Sequence, residues 1–115
     1  MLDWNMKAAL DALPNIQLWR LADMIRAMPP APALAWLDAA VGWERRRRSG
    51  QKPGEFPMPD IASERLADAM LLLRNMGDSF RAYPTAAEFS PTVRVLDAAV
   101  EFLVAIQDQH RAQRQ

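Results

Sequence analysis

Residues 90–106, SPTVRVLDAAVEFLVAI, decide the fold expected of this chain. Ser90 followed by Pro91 is typical of a helix start, and the pattern beyond it predicts a helix to about Arg111. On a helical wheel its apolar positions cover an arc of about 200°, wider than the stripe of an ordinary surface helix. These positions are Val93, Val95, Leu96, Val100, Phe102, Leu103 and Ile106. So wide an arc predicts contact with more than one neighbour. We favour the central helix of a bundle, because one helix of a small core must touch most others; the alternative is a homodimer interface.

Helical spacing continues through the rest of the chain, and no alternating strand pattern is found. The expected helices are one from Leu2 to Leu13 ended by Pro14, one capped by Asn15, one with Pro32 in its first turn, and one capped by Asp60 and closed by Gly77 after Met76. The stretch TAAE (85–88) predicts a capping box that opens one short turn. The sequence therefore predicts an all-α fold, a compact bundle of about five helices plus one short turn.

The length of 115 residues predicts a single helical domain with an exposed linker at about 49–59. Three short motifs also recur in the same order. They are RLAD at 20–23 and 65–68, RAMP at 26–29 with RAYP at 81–84, and LDAAV at 37–41 and 96–100. The pattern suggests two duplicated helix–proline turn–helix units about a pseudo-twofold axis. The alternative is chance repetition in an alanine-rich helical chain.

The composition is that of a globular protein, with half of the residues apolar and a formal net charge of zero. Residues 44–52 nevertheless carry a net charge of +4 on an otherwise mildly acidic chain. There is no cysteine, and the apolar runs are far shorter than the roughly 20 residues that cross a bilayer. We expect a cytoplasmic protein with no membrane partner. Twelve arginines against two lysines, with abundant alanine, suggest a bacterial source.

Residue patterns typical of catalysis are mostly missing. The one histidine, His110, follows Asp108 at a spacing of two, which places the side chains on different helix faces. The carboxylate pairs Glu64 with Asp68 and Asp97 with Glu101 are expected on solvated faces, and no glycine-rich phosphate loop is present. We expect no catalysis, no metal and no cofactor. An enzyme would require a cleft that brings the last two helices together around His110.

The run Arg45–Arg48 allows two interpretations. If the third helix continues through it, the four side chains project at successive steps of about 100° and form no single stripe. The run would then complement the helix dipole, with Ser49 and Gly50 ending the helix. If the segment frays into a loop, the arginines and Lys52 could together engage a phosphate backbone or an acidic protein surface.

The four tryptophans, at 4, 19, 36 and 43, are expected to be core residues, with one or two as exposed interface anchors in the alternative reading. We predict a non-catalytic protein that binds an acidic patch of another protein, as adaptors, chaperones and inhibitors of bacterial mobile elements do. The predicted partner-binding residues are Trp43, Arg45, Arg46, Arg47, Arg48, Lys52 and Phe56. The alternative is sequence-independent nucleic-acid binding through Arg45–Lys52, which would depend on charge alone and not on apolar anchors.

Overall fold

The computed structural model describes residues 3–83 and 86–114, and this part of the chain contains α-helices and 3-10 turns but no strand. The helices are α1 (Trp4–Asp11), α2 (Asn15–Ala27), α3 (Pro32–Arg48), α4 (Leu66–Arg81) and α5 (Ser90–Arg114). A 3-10 turn precedes α4 at Ser63–Arg65, and another precedes α5 at Ala86–Phe89. The predicted all-α bundle of five helices is confirmed.

Helix α5 is the central element of the core. It packs most extensively against α4 and also contacts α1 and α2. Six of the seven residues of its apolar arc are at most 8% exposed, and Val93 is half-buried. The arc is therefore covered within a single chain, as expected of a central helix that serves several neighbours.

Helix ends agree with the sequence pattern where local chemistry decides them. Pro32 is in the first turn of α3. At the other end of this helix, Gly50 has a φ of 85°, and its N–H and that of Gln51 donate to the carbonyls of Arg47 and Arg46. This is a Schellman motif, in which glycine adopts the left-handed conformation without steric cost. The predicted stop at Ser49 and Gly50 is confirmed.

Other helix ends differ from the prediction because tertiary contacts decide them. Asn15 is the first residue of α2 and not its cap, and its side chain is bonded to α3. Asp60 does not cap α4, which begins at Leu66 after the chain has buried Ile61. Gly77 lies buried inside α4, and the helix continues to Arg81, whose side chain pairs with Asp97 of α5. The predicted positions Leu2 and Thr85 lie outside the described residues.

The segment between α3 and α4 is clamped onto the bundle through its middle. The indole N–H of Trp43 donates to the carbonyl of Gly54, and that of Trp36 donates to the carbonyl of Pro57, both at 3.0 Å. Phe56 packs edge-on against Trp43, with ring centroids 5.2 Å apart, and is 7% exposed. The segment predicted as an exposed linker is therefore solvent-exposed at its ends, whereas its centre contributes Phe56 to the core.

The repeated motifs fall on matching helices, but a duplication stays a hypothesis. RLAD lies in α2 and at the start of α4, and LDAAV lies within α3 and within α5.

None of the helices in the described part of the chain is both long and apolar enough to cross a membrane.

Candidate functional site

The arginine run is divided by its helical geometry into two pairs with different surroundings. Helix α3 continues through Arg48, so consecutive side chains leave the axis about 100° apart. Arg47 and Arg48 turn toward α1 and bind carboxylate groups there and on α3. Arg45 and Arg46 turn toward α2 and line a groove. The run therefore contains one pair that is bound to carboxylates and one pair that lines the groove.

The inner pair is organised by Glu44, whose side chain is 1% exposed. Arg47 donates to both of its carboxylate oxygens, at 2.7 and 2.9 Å, and Arg48 donates to Oε2 at 2.7 Å. Burial raises the pKa of Glu44, but the hydrogen bonds and charges of Arg47 and Arg48 outweigh it, so the pKa is lowered. The carboxylate therefore stays ionised, and Glu44 raises the pKa of Arg47 in return.

Arg48 also closes the carboxyl end of α1. Its Nη2 donates to the carbonyls of Leu10 at 2.7 Å and Leu13 at 2.6 Å, and its Nη1 donates to the side chain of Asn15. Carbonyls at a helix end have no partner within the helix and carry partial negative charge. Arg48 thus satisfies groups at the α1–α2 junction, and Arg47 adds an ion pair with Asp11. Both are occupied by structural contacts.

The outer pair lines a groove of about 610 Å³ between α2 and the end of α3. Its lining consists of Asn15, Leu18, Trp19, Arg26, Gly42, Arg45, Arg46, Arg48, Ser49 and Gln51. We call this surface the basic groove, because four guanidinium groups and no carboxylate are among these lining residues. Glu44 compensates the charge of Arg48, whereas no ion pair with an acidic residue is found for Arg26, Arg45 or Arg46 in the described part of the chain.

Trp19 forms the aromatic wall of the basic groove. The guanidinium carbon of Arg45 lies 3.8 Å from the centre of its ring, a cation–π arrangement that fixes both side chains. Trp19 remains 52% exposed and Ile16, one turn earlier on α2, is 61% exposed. A large aromatic ring, an aliphatic side chain and three arginines without carboxylate partners therefore share one surface.

The structure brings together some of the predicted partner-binding residues and separates the others. Trp43 and Phe56 are each 7% exposed and pack on one another in the core, so their burial removes them as surface anchors. Lys52 is exposed beyond the lining of the groove, and Arg47 faces α1. Three of the predicted residues line the groove: Arg45 and Arg46, and Arg48, whose charge is compensated by Glu44.

Sequence reasoning did not select Trp19 and Arg26, although their spacing contains the signal. The buried seam of α2 is Leu18, Leu21 and Ile25. Trp19 is one position away from that seam, and Arg26 follows it at i+7 on the same side of the helix. A tryptophan outside the core seam and aligned with an arginine indicates an exposed aromatic position.

The residues considered for catalysis have structural contacts or solvated positions. His110 Nδ1 and Ser63 Oγ are 2.7 Å apart and share a hydrogen bond that ties the end of α5 to the turn before α4. Asp97 pairs with Arg81, and Glu64 and Glu101 are exposed. Among the described residues, no group of three or more potential metal-ligating side chains is arranged to hold an ion.

Comparison with known proteins adds no relative to this picture. No protein-family model, no curated protein and no solved structure matches the chain.

Proposed function

We propose that this chain is a non-catalytic binding protein that recognises an acidic segment of another protein through the basic groove. The observation that carries this proposal is the stacked pair Trp19–Arg45 beside Arg26 and Arg46. Tryptophan and arginine are the residue types most enriched among the energetically dominant contacts of protein interfaces. An adaptor, a chaperone or an inhibitor working in a bacterial cytoplasm would use such a surface.

Charge supports an acidic partner. The three arginines of the groove without carboxylate partners attract carboxylates, and the lining offers no negative charge to oppose them. Arg45 is held in place by the indole of Trp19, so less side-chain entropy is lost when it binds a partner. Guanidinium groups also bind carboxylates with two parallel hydrogen bonds, which adds geometric selectivity.

Nucleic acid is the second candidate, favoured by the combination of an exposed indole with arginines. A base can stack on an aromatic ring, and guanidinium groups bind phosphates without regard to sequence. The net charge of zero argues against a dedicated nucleic-acid binder, which usually carries a large positive charge. We therefore treat nucleic acid as an outcome that the experiment must separate from protein binding.

The test is an affinity purification from a lysate of the organism that encodes the chain, with and without nuclease. The baits are the wild type, Arg45→Ser/Arg46→Ser, and Arg74→Ser/Arg94→Ser as a control that removes the same charge from exposed positions on α4 and α5. A captured protein is then produced recombinantly and mixed with each purified bait.

We expect a nuclease-resistant complex of fixed stoichiometry that the groove variant loses and the control variant retains. Retention by the wild-type and control baits that disappears with nuclease would support nucleic-acid binding and overturn the proposal. A partner held equally by the groove variant and the wild type would place the binding surface elsewhere.

A further inference from the structure

A second groove continues the basic groove along the same pair of helices. It has a volume of about 240 Å³ and lies where α2 ends and α3 begins. Arg26 lines both grooves, so they meet at this residue. Along α3 the lining passes from Ala35 and Asp38 in the second groove to Gly42 and Arg45 in the first. The two form one continuous surface between α2 and α3, which we call the α2–α3 groove.

The two halves of the α2–α3 groove differ in chemistry. The basic half contains Arg45 and Arg46, whereas the second half is mostly apolar, with Met28, Pro29 and Pro30 in its lining. Its charged residues are Asp38 and Arg26, of which Arg26 also lines the basic half. The prolines and the small side chain of Ala35 leave this half shallow and rigid, because proline has no free φ rotation.

From this division we infer that the occupant is one amphipathic helix, with carboxylates toward Arg45 and Arg46 and large apolar side chains toward the proline-lined half. The inference rests on the proposed function and specifies its partner. Helix α2 has 13 residues and so spans about 20 Å, which an added helix of three to four turns would match. A helix laid between two antiparallel helices buries one apolar stripe, the usual mode of groove recognition.

Charge sets the orientation of that helix in the α2–α3 groove. Its acidic end lies over the basic half, because Arg26, Arg45 and Arg46 would repel positively charged residues there. Its apolar residues lie over Met28 and Pro30, at spacings of three and four that keep them on one face. A segment that is acidic along its whole length would leave the apolar half uncovered and meet Asp38 with the wrong sign.

The experiment is a selection of random peptides of about 15 residues, long enough for four helical turns, displayed on phage against the purified full chain. Peptides that also bind Arg45→Ser/Arg46→Ser are removed by counter-selection. The survivors are synthesised, and their affinities are measured by fluorescence polarisation. Two further variants are used: Ala35→Glu, which places a charge in the proline-lined half, and Ala67→Glu, a control at an exposed position of α4.

We expect selected peptides to combine Asp or Glu near one end with large apolar residues at helical spacing, and to gain helical circular dichroism on binding. Ala35→Glu should weaken the binding of these arginine-dependent peptides by about tenfold or more, the effect of losing one dominant contact, whereas Ala67→Glu should not.

Peptides that are acidic throughout and indifferent to Ala35→Glu would overturn the two-part helix while leaving acidic protein recognition in place. The same holds if no peptide depends on Arg45 and Arg46 although the affinity purification yields an arginine-dependent partner. If no peptide or protein depends on these arginines and nucleic acid does, the proposed function fails as well.

Discussion

Replacing Glu44 by alanine should destabilise this protein more than replacing any exposed carboxylate. The change removes the group that accepts three charged hydrogen bonds from Arg47 and Arg48 at 2.7 to 2.9 Å. It leaves two guanidinium groups facing one another at the junction of α3 with α1. The side chain of Glu44 is almost fully buried, so water cannot replace it without a rearrangement of the junction.

The size of the expected loss of stability follows from the solvent exposure of Arg47 and Arg48. Removing one member of a buried ion pair costs about 3–5 kcal/mol, because the other charge is left uncompensated. Here the side chains of Arg47 and Arg48 are 41% and 22% exposed, so water reaches part of each guanidinium group. We therefore expect the lower end, about 3 kcal/mol for Glu44→Ala. Glu44→Gln keeps the volume of the side chain and one hydrogen-bond acceptor, so its loss of stability should be about half as large as that of Glu44→Ala.

The assay is equilibrium urea unfolding followed by tryptophan fluorescence at neutral pH. With an m-value of about 1.5 kcal/mol per molar urea, a loss of 3 kcal/mol lowers the midpoint by about 2 M. Glu64→Gln is the matched control at an exposed carboxylate and should change stability by less than about 0.5 kcal/mol. If the stability of Glu44→Ala is within about 1 kcal/mol of that of the wild type, the reasoning is refuted. Removing a buried carboxylate that binds two arginines should cost more than that.

Three further predictions concern the helix end, the clamped segment and pH. Gly50→Ala should lower the free energy of unfolding in urea by about 1 kcal/mol, because the φ of Gly50 is 85°. Gly77→Ala should raise it by about 0.5–1 kcal/mol, because Gly77 is inside α4 and an added Cβ would make only an ordinary contact with Arg81. Stability changes of the same sign for the two variants would contradict the assigned backbone conformations. Phe56→Ala should cost about 3 kcal/mol and shift the tryptophan emission to the red as the indole of Trp43 becomes wet; an unchanged spectrum would show that the segment is not clamped. The lowered pKa of Glu44 stabilises the fold above the free value of 4.5. This stabilisation is lost as the pH falls through the folded pKa, so the stability gap between the wild type and Glu44→Gln should narrow in acid; a gap independent of pH would contradict the ionised state of Glu44.

Much of the fold follows from spacing along the chain. The apolar arc of α5 predicted a helix with several neighbours, and the positions that form it are buried between α4, α1 and α2. Gly50 after a run of basic residues predicted the end of α3, since this glycine satisfies local backbone geometry. These predictions succeed because hydrophobic periodicity and glycine conformation are properties of short segments.

The features that spacing did not predict depend on contacts between segments that are distant in the sequence. Gly77 looks like a helix end, but α4 continues through it and buries it in contact with the rest of the bundle. Phe56 lies in a glycine- and proline-rich segment that indicates an exposed loop, and its burial depends on the positions of Trp43 and Phe102, whose rings lie next to it. The spacing of three and four residues between Glu44 and the pair Arg47 and Arg48 predicts their contact on the helix surface. No spacing rule states that Glu44 is buried, or that Asp11 and Asn15 from another part of the chain join these arginines.

The division of the arginine run is tested most directly by one pair of matched variants, Arg48→Met and Arg45→Met, compared by urea unfolding. Both replace an arginine of α3 by an unbranched side chain with good helix propensity. Arg48→Met removes a hydrogen bond to Glu44, one to the side chain of Asn15 and two to carbonyls at the α1–α2 junction, and should cost about 2–3 kcal/mol. Arg45→Met removes only the contact with Trp19 and should cost no more than about 1 kcal/mol. Equal losses for the two variants, or a larger loss for Arg45→Met, would contradict the division of the run into Arg48, which stabilises the fold, and Arg45, which lines the groove.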